Sequence, residues 1–193
     1  MAVKTETKKP AFIEREIILK GLVKFSNLKE AEGFQQSEEN KKYSITLALK
    51  PDDPQLKMLQ GLHEKAIAAV AAEAREEGKK IPKPTELSIG EDYTKDKETG
   101  ELIPTCLVTV RFNRSEKIGP PTVVDRNLNE LDRNRIPSGS LVNVQMTAMS
   151  YNVAGRVGLT LKLDHVQILH EVEMQAKAPS FHVVDIDDSP FAD

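Results

Sequence analysis

Residues 141–168, LVNVQMTAMSYNVAGRVGLTLKLDHVQI, decide the fold, because they alternate apolar and polar side chains on both sides of a turn. Alternation with a period of two is typical of a strand with one buried face. The turn falls at residues 152–155. The pattern predicts a β-hairpin whose first strand buries Val142, Val144, Met146 and Ala148, and whose second strand buries Val157, Leu159, Leu161 and Leu163.

The alternation in the second strand of this hairpin slips by one residue at Asp164 and His165. Beyond that point, Val166 and Ile168 carry the apolar positions. One extra residue in a strand leaves the pairing locally out of step, which is the signature of a β-bulge. We therefore expect a bulge at residues 164–165.

Three further segments upstream of the hairpin alternate in the same way. Their apolar sets are Ile17, Leu19, Val23 and Phe25, then Tyr43, Ile45, Leu47 and Leu49, and finally Cys106, Val108, Val110 and Phe112. The parity of these sets predicts that Phe25 and Phe112 are core residues. It also directs Lys20, Lys24 and Arg111 outward.

One stretch between these segments changes to a helical period. Asp53 is a candidate N-cap, Pro54 suits the first helical position, and Gly78 is a natural C-terminal stop. The sequence between them predicts one long helix with a narrow apolar stripe, formed by Leu59, Leu62, Ala66, Ala69, Val70 and Ala74. Such a helix should lie across one side or end of a sheet.

The order of these elements favours a mainly β fold, because strands and a single helix occur without βαβ alternation. Residues 79–84 are predicted to form a linker, 91–101 an exposed charged turn or loop, and 119–139 a Pro- and Asn-rich connection. We expect an OB-fold-like barrel of five to six strands with one long α-helix over residues 1–177. Residues 178–193 lose their periodicity and are predicted to be a disordered tail.

The charges of the 193-residue chain are segregated. The formal net charge is −3, yet no Lys or Arg follows Lys177, whereas four of the 30 acidic residues do. Residues 1–177 therefore carry about +1 and the remainder about −4. Although the whole chain is acidic on average, residues 1–177 could bind phosphate groups.

The sequence offers little for catalysis. The four histidines show no metal-ligand spacing, and the phosphate-cradling and nucleophile-elbow motifs are absent. We therefore predict no enzyme, cofactor or metal. One rival hypothesis is a hydrolase that holds Mg²⁺ with Asp125, Asp132 and Asp164, which would require their carboxylates to converge on one cleft.

The single cysteine, Cys106, allows neither an intrachain disulfide nor a cysteine-based zinc cage. No apolar run approaches the roughly 20 residues of a membrane span, and the N-terminus lacks the apolar core of a signal peptide. A reducing, cytoplasmic setting and no membrane partner are expected.

Cations and one aromatic ring share the outward positions of the predicted strands. Phosphates need cations along a groove, and unpaired bases stack on aromatic rings, so this mixture suits a single-stranded nucleic acid. The alternative is that the cations are ordinary solvated surface and that the tyrosine only covers a barrel edge. The candidate DNA-binding residues are Lys20, Lys24, Arg111, Tyr151, Arg156 and Lys162.

The C-terminal segment joins dense negative charge to an aromatic residue, as in a peptide ligand. Its acids can mimic phosphates and occupy the chain's own basic surface, while its phenylalanine can enter an apolar pocket of a partner. Solubility alone is the alternative explanation of such a tail. The candidate partner-binding residues are Asp185, Asp187, Asp188, Phe191 and Asp193.

Several segments in a fixed order resemble the bacteriophage replicative single-stranded DNA-binding proteins of the OB-fold, acidic-tailed type. They are KKYSITLALKPDD (41–53) before a helix, PPTVVD (120–125), SGSLVNVQMTAMSY (138–151), GRVGLTLKLDHVQIL (155–169) and the acidic tail. The chain departs from that family in placing Phe191 two residues before the end and in having few aromatic residues.

The resemblance implies a non-catalytic role in phage DNA replication, recombination and repair, in the cytoplasm of the host cell. It further implies that the tail contacts a phage or host DNA polymerase and a helicase or primase, and homodimers are common in that group. The rival hypothesis is an OB-like protein-interaction module that binds no nucleic acid, which a flat surface potential would favour.

Overall fold

The computed structural model describes residues 9–33, 40–96 and 98–173, which contain eight strands, one α-helix and a single 3₁₀ turn, Glu116–Ile118. The elements in chain order are β1 (Ile13–Glu32), β2 (Lys42–Leu49), α1 (Pro54–Glu76), β3 (Lys83–Pro84), β4 (Ile89–Lys95), β5 (Leu102–Ser115), β6 (Thr122–Val124), β7 (Leu141–Val153) and β8 (Arg156–His170). The predicted tail, residues 178–193, lies outside the described residues.

Five long strands close into a barrel. The sheet runs in the order β3-β8-β7-β1-β2-β5-β4, and a parallel bridge between Asn113 of β5 and Lys162 of β8 joins its two sides. The barrel therefore consists of β1, β2, β5, β8 and β7, as expected for an OB-like fold. The two-residue β3 and the three-residue β6 add short parallel pairings to β8.

The predicted hairpin supplies a large part of the hydrophobic core. Its first strand buries the four predicted residues completely, and β8 buries Val157, Leu161 and Leu163, with Leu159 packed partly against the core. The bulge is confirmed, since Gln145 pairs with His165 but Met146 pairs with Leu163, which leaves Asp164 as the extra residue. Tyr43 and Phe112 are buried as predicted.

The helix also begins and ends as the sequence predicts. The Asp53 carboxylate accepts a hydrogen bond from the backbone N–H of Gln55 at 2.9 Å, which caps the first turn. Gly78 follows the helix with a φ of 62°, a left-handed conformation that favours glycine. The helix packs against β7 and β8. Its buried face consists of Leu59, Leu62, His63, Ala66, Val70 and Ala74.

Phe25 was predicted to be a core residue, and this prediction is wrong. Val23 pairs with Leu47, but Phe25 pairs with Thr46, so Lys24 is an extra residue in β1. The bulge reverses the parity of the strand and turns Phe25 to the outside, where 68% of it is exposed. The apolar positions up to Phe25 do not by themselves reveal such a reversal.

Cys106 was also predicted to face inward, yet it is exposed. Its φ of 59° interrupts the regular pleat of β5, so the inward parity holds from Val108 onward, with Val108 partly buried against the core and Val110 and Phe112 fully buried. Residues 91–101 do not form a loop throughout, because β4 extends to Lys95 and pairs with β5. Residues 79–84 and 119–139 likewise contain the short strands β3 and β6 rather than connection alone.

Candidate nucleic-acid interface

A row of polar side chains runs around the outside of the barrel, one from each of its five strands. Direct pairings connect Asn27 to Ser44, Ser44 to Asn113, Asn113 to Lys162, and Lys162 to Thr147. Side chains of directly paired residues lie on the same face of a sheet. We call these five residues the outer belt.

A second row lies beside the outer belt on three of the strands. Phe25 pairs with Thr46, and Thr46 pairs with Arg111. The Arg111 guanidinium donates a hydrogen bond to Ser44 Oγ at 3.3 Å, which links this row to the belt. The bulge at Lys24 thus places an exposed aromatic ring two residues from Asn27 and on the same face as Arg111.

Two clefts open along the outer belt and meet at the Ser44–Asn113 pair. The smaller cleft, of about 420 Å³, is lined by Lys24, Phe25, Ser26, Asn27, Glu32, Ser44, Thr46, Arg111, Arg135 and Ile136. The larger cleft, of about 680 Å³, is lined by Ile13, Arg15, Glu16, Lys42, Asn113, Arg114, Ser115, Ile118, Gln145, Thr147, Met149, Thr160, Lys162, Leu163, Asp164 and His165. The two clefts are neighbours at this pair, and we call them together the belt groove.

The belt groove is basic. Seven Lys and Arg residues line it, against the three acids Glu16, Glu32 and Asp164. Two of these acids lie near arginines of the groove, since Asp164 is 3.7 Å from Arg114 and Glu32 is 3.7 Å from Arg135. An excess of cations on low-dielectric walls attracts a polyanion.

Lys24 is held differently from the other cations of the groove. Its ammonium lies 2.9 Å from Oδ1 of the buried Asp92 and donates to the carbonyl of Tyr93 at 2.9 Å. Burial alone would raise the pKa of Asp92, but the hydrogen bond from Thr105 and the Lys24 ammonium outweigh it and lower that pKa. Asp92 therefore offsets the charge of Lys24 and ties β4 to β1.

Three of the six predicted binding residues lie in the belt groove: Lys24, Arg111 and Lys162. Lys20 lies beside the start of α1, where its backbone N–H and carbonyl bond the side chain of Gln55. Arg156 is exposed at the turn end of the hairpin.

The sixth predicted residue, Tyr151, is half-buried near that same turn. It pairs with Gly158, and its hydroxyl lies 2.8 Å from Thr85 Oγ1. A Cβ on Gly158 would come within 2.6 Å of the tyrosine hydroxyl, so the ring packs closely over this glycine. Tyr151 lines neither cleft, whereas Phe25 lines the smaller one.

The sequence analysis missed several groove residues: Arg15, Phe25, Asn27, Lys42, Arg114 and Arg135. The sequence does contain a signal for Phe25 and Asn27. After Phe25 the alternate positions are no longer apolar, and the next apolar residue, Leu28, has the opposite parity. Arg135 comes from the connection between β6 and β7, which has no periodicity to read. Only the fold brings it to the groove.

The hydrolase hypothesis is wrong on geometry. Among the described residues, no three His, Cys, Asp or Glu side chains are grouped to hold a metal ion. Asp125 instead accepts hydrogen bonds from Asn127 and Asn129, and Asp132 pairs with Lys29 at 2.7 Å.

In the part of the chain that the structure describes, no helix has the length and apolarity needed to span a membrane.

The last described residues reach the segment that borders the smaller cleft. The backbone N–H of Val172 donates to Ser140 Oγ at 3.1 Å, and Arg133 is 3.5 Å from Glu171. Arg135 and Ile136 of this segment line the cleft. The last described residues therefore lie beside the segment that borders the smaller cleft, whereas the acidic tail, residues 178–193, lies outside the described residues.

Known proteins of similar fold bind single-stranded DNA. The crystal structure of gp2.5, a single-stranded DNA-binding protein of bacteriophage T7, superimposes with a TM-score of 0.58 at 18% identity, covering 92% of this chain and 98% of that one. The single-stranded DNA-binding protein of bacteriophage Enc34, in complex with single-stranded DNA, gives 0.53 at 18% identity, covering 81% and 88%. A search among curated protein sequences finds no match.

The family model of the single-stranded DNA-binding protein of Enterobacter phage Enc34 matches residues 16–180, which is most of the chain and all of the barrel except the first three residues of β1. The resemblance noted in the sequence is thereby confirmed, together with the prediction of a non-enzymatic protein. The chain belongs to the Enc34-type family of phage single-stranded DNA-binding proteins.

Proposed function

We propose that the belt groove binds single-stranded DNA without sequence preference. The observation that carries the proposal is the outer belt, in which one side chain from each barrel strand connects a cleft with an exposed aromatic ring to a second cleft, both with an excess of cations. The family supports it, as does the Enc34 protein of similar fold that binds single-stranded DNA.

The groove combines the two attractions that single strands require. Its cations attract the phosphates, and Phe25 offers a ring on which a base can stack, worth about 1–3 kcal/mol per base. In a duplex the base faces are already stacked, so the aromatic ring gains nothing from it. The groove should therefore prefer single strands to a duplex.

The six residues predicted from the sequence would contribute unequally in this arrangement. Arg111 and Lys162 line the groove without a described acidic partner and would contact phosphates directly. Lys24 would contribute less, because Asp92 offsets its charge. Lys20, Tyr151 and Arg156 would be reached only by a strand that continues beyond the two clefts.

The acidic tail, in this proposal, competes with DNA for the belt groove and recruits replication proteins. The charge split at Lys177 motivates the competition, and Phe191 would enter an apolar pocket on a phage or host polymerase, helicase or primase. DNA or a partner would displace the tail. This would place the protein in phage DNA replication, recombination and repair.

Fluorescence anisotropy with labelled oligo-dT and the matching duplex, titrated at two salt concentrations, tests the binding function. We expect tight, salt-sensitive preference for oligo-dT, and for the variants Arg111→Ala and Lys162→Ala a log–log salt slope reduced by about 0.7 per lost phosphate contact. Lys65→Ala, on the exposed face of α1, is the matched control and should leave the slope unchanged. Absence of binding at low salt, even after removal of residues 178–193, would favour the protein-interaction hypothesis.

A further inference from the structure

Asn27 is a buried polar residue that the fold itself leaves unsatisfied. Its side chain is only 5% exposed, and neither Oδ1 nor Nδ2 has a hydrogen-bond partner among the described residues. A buried amide without partners is costly, and most buried polar atoms in native proteins are paired. An apolar residue at this position would make the folded barrel more stable. The presence of an amide therefore indicates a role other than stabilising the fold.

The amide belongs to the smaller cleft. Asn27 pairs directly with Ser44, so the two side chains share the outer face of the barrel, and both line the cleft. The segment that carries Arg135 and Ile136 borders this cleft. Hydrogen bonds hold that segment in place, from Ile136 N–H to Ser26 Oγ at 2.7 Å and from Leu28 N–H to Asn134 O at 2.8 Å.

The chemistry of the amide matches the edge of an unpaired base. A side-chain amide presents a donor and an acceptor side by side, and each of the four bases offers an adjacent acceptor and donor on its pairing edge. Rotating the amide by 180° exchanges its two groups, so the same side chain can serve every base. A phosphate has only acceptors and would leave Oδ1 unpaired.

The neighbours of Asn27 supply the remaining parts of a nucleotide site. Phe25 lies two residues away on the same face, with 68% of its surface exposed, and can stack on a base. Arg111 and Arg135 line the same cleft and can hold the flanking phosphates. In a duplex the pairing edges are already occupied, so this cleft admits only an unpaired base.

We propose that the smaller cleft is a nucleotide subsite in which Phe25 stacks on an unpaired base while the amide of Asn27 hydrogen-bonds the pairing edge of that base. This rests on the proposed function of the belt groove. The new element is that the protein recognises a free pairing edge of a base as well as the phosphate charge. Such recognition accounts for a preference for single strands that does not depend on sequence.

The test compares Asn27→Leu with the full-length wild-type chain on two oligomers of equal length, oligo-dT and an abasic deoxyribose–phosphate strand. We expect Asn27→Leu to weaken oligo-dT binding about tenfold, as for the loss of one bidentate base contact. Binding of the abasic strand should not change. The thermal midpoint of the free protein should stay the same or rise, because the variant removes an unsatisfied amide.

Two further variants keep the test decisive. Asn27→Ala cannot overpack the cleft and should show the same selective loss on oligo-dT if Asn27→Leu fails to fold. Asn143→Leu is the matched control, because Asn143 also lies outward on the barrel but bonds Gln167 at 2.9 Å and lies outside both clefts. It should lower stability and leave oligo-dT binding unchanged.

Two results would overturn the inference while leaving the proposed function intact. If both Asn27 variants bind oligo-dT as tightly as the wild type, the amide makes no contact with DNA. If they lose affinity equally for both oligomers, Asn27 only shapes the cleft. Failure of the wild type to bind oligo-dT at all would instead refute the proposed function, and the inference with it.

Discussion

Phe25→Ala is the variant that most directly tests how the belt groove binds. The side chain is 68% exposed and belongs to no buried cluster, so its removal creates no core cavity. Surface substitutions of this kind usually change stability within about 0.5 kcal/mol. The fold should therefore remain intact, and any change in DNA binding will report on the groove.

The expected loss of affinity follows from the stacking of a single base. A base–aromatic stack is worth about 1–3 kcal/mol, and 1.4 kcal/mol corresponds to a factor of ten, so oligo-dT binding should weaken by roughly 5- to 150-fold. Because no charge is removed, the log–log salt slope should stay that of the wild type. Arg111→Ala should show the opposite behaviour, with a reduced slope.

The assay is fluorescence anisotropy of labelled oligo-dT at four salt concentrations, with Phe25→Leu as a control that keeps an apolar side chain but removes the ring. Phe25→Leu should lose most of the affinity as well, since stacking needs a π face. Wild-type affinity in both variants would refute the role of Phe25, and a large fall in the thermal midpoint would show that the ring supports the fold instead.

Three other results are expected. Asp92→Asn should destabilise the protein by about 1–3 kcal/mol at neutral pH, because it leaves the Lys24 ammonium without its carboxylate partner. The pKa of Asp92 is lowered in the folded state, so the wild-type advantage should be complete above the ordinary value of 3.8 and should disappear as the pH falls through the folded value, as urea titrations at several pH values can show. Deleting residues 178–193 should strengthen oligo-dT binding at fixed salt, and an unchanged or weaker affinity would argue against competition by the tail. Phe191→Ala should leave DNA binding intact but weaken polymerase or helicase association in a pull-down, and undiminished association would remove that role.

Local patterns in the sequence were sufficient for the parts of the fold that depend on near neighbours. The hairpin, the bulge at Asp164 and the capped helix all follow from side chains a few residues apart. The resemblance to phage single-stranded DNA-binding proteins rested on such segments in their order, and the family match confirms it. The separation of charge at Lys177 is likewise a property of the sequence alone.

The strand pairings determined the site, and they are not local. The bulge at Lys24 reverses the parity of β1 only because Val23 and Phe25 pair with successive residues of β2, so alternation placed Phe25 inside when it is outside. The prediction that Cys106 faces inward was wrong for a similar reason, since one positive φ interrupts the pleat. A shift of one residue moves a side chain to the opposite face, and the partner strand decides whether the shift occurs.

By itself, the sequence determined the mainly β fold class, the capped helix, the charge split between residues 1–177 and the C-terminal end, and the family. These features depend on periodicity, capping and charge, which are properties of residues close together in the chain. Only the tertiary structure decided which residues form the groove. Asn27, Ser44, Asn113, Lys162 and Thr147 are up to 135 positions apart and meet because barrel closure brings five strands into one register. A binding surface assembled across strands depends on long-range pairing, which no local pattern contains.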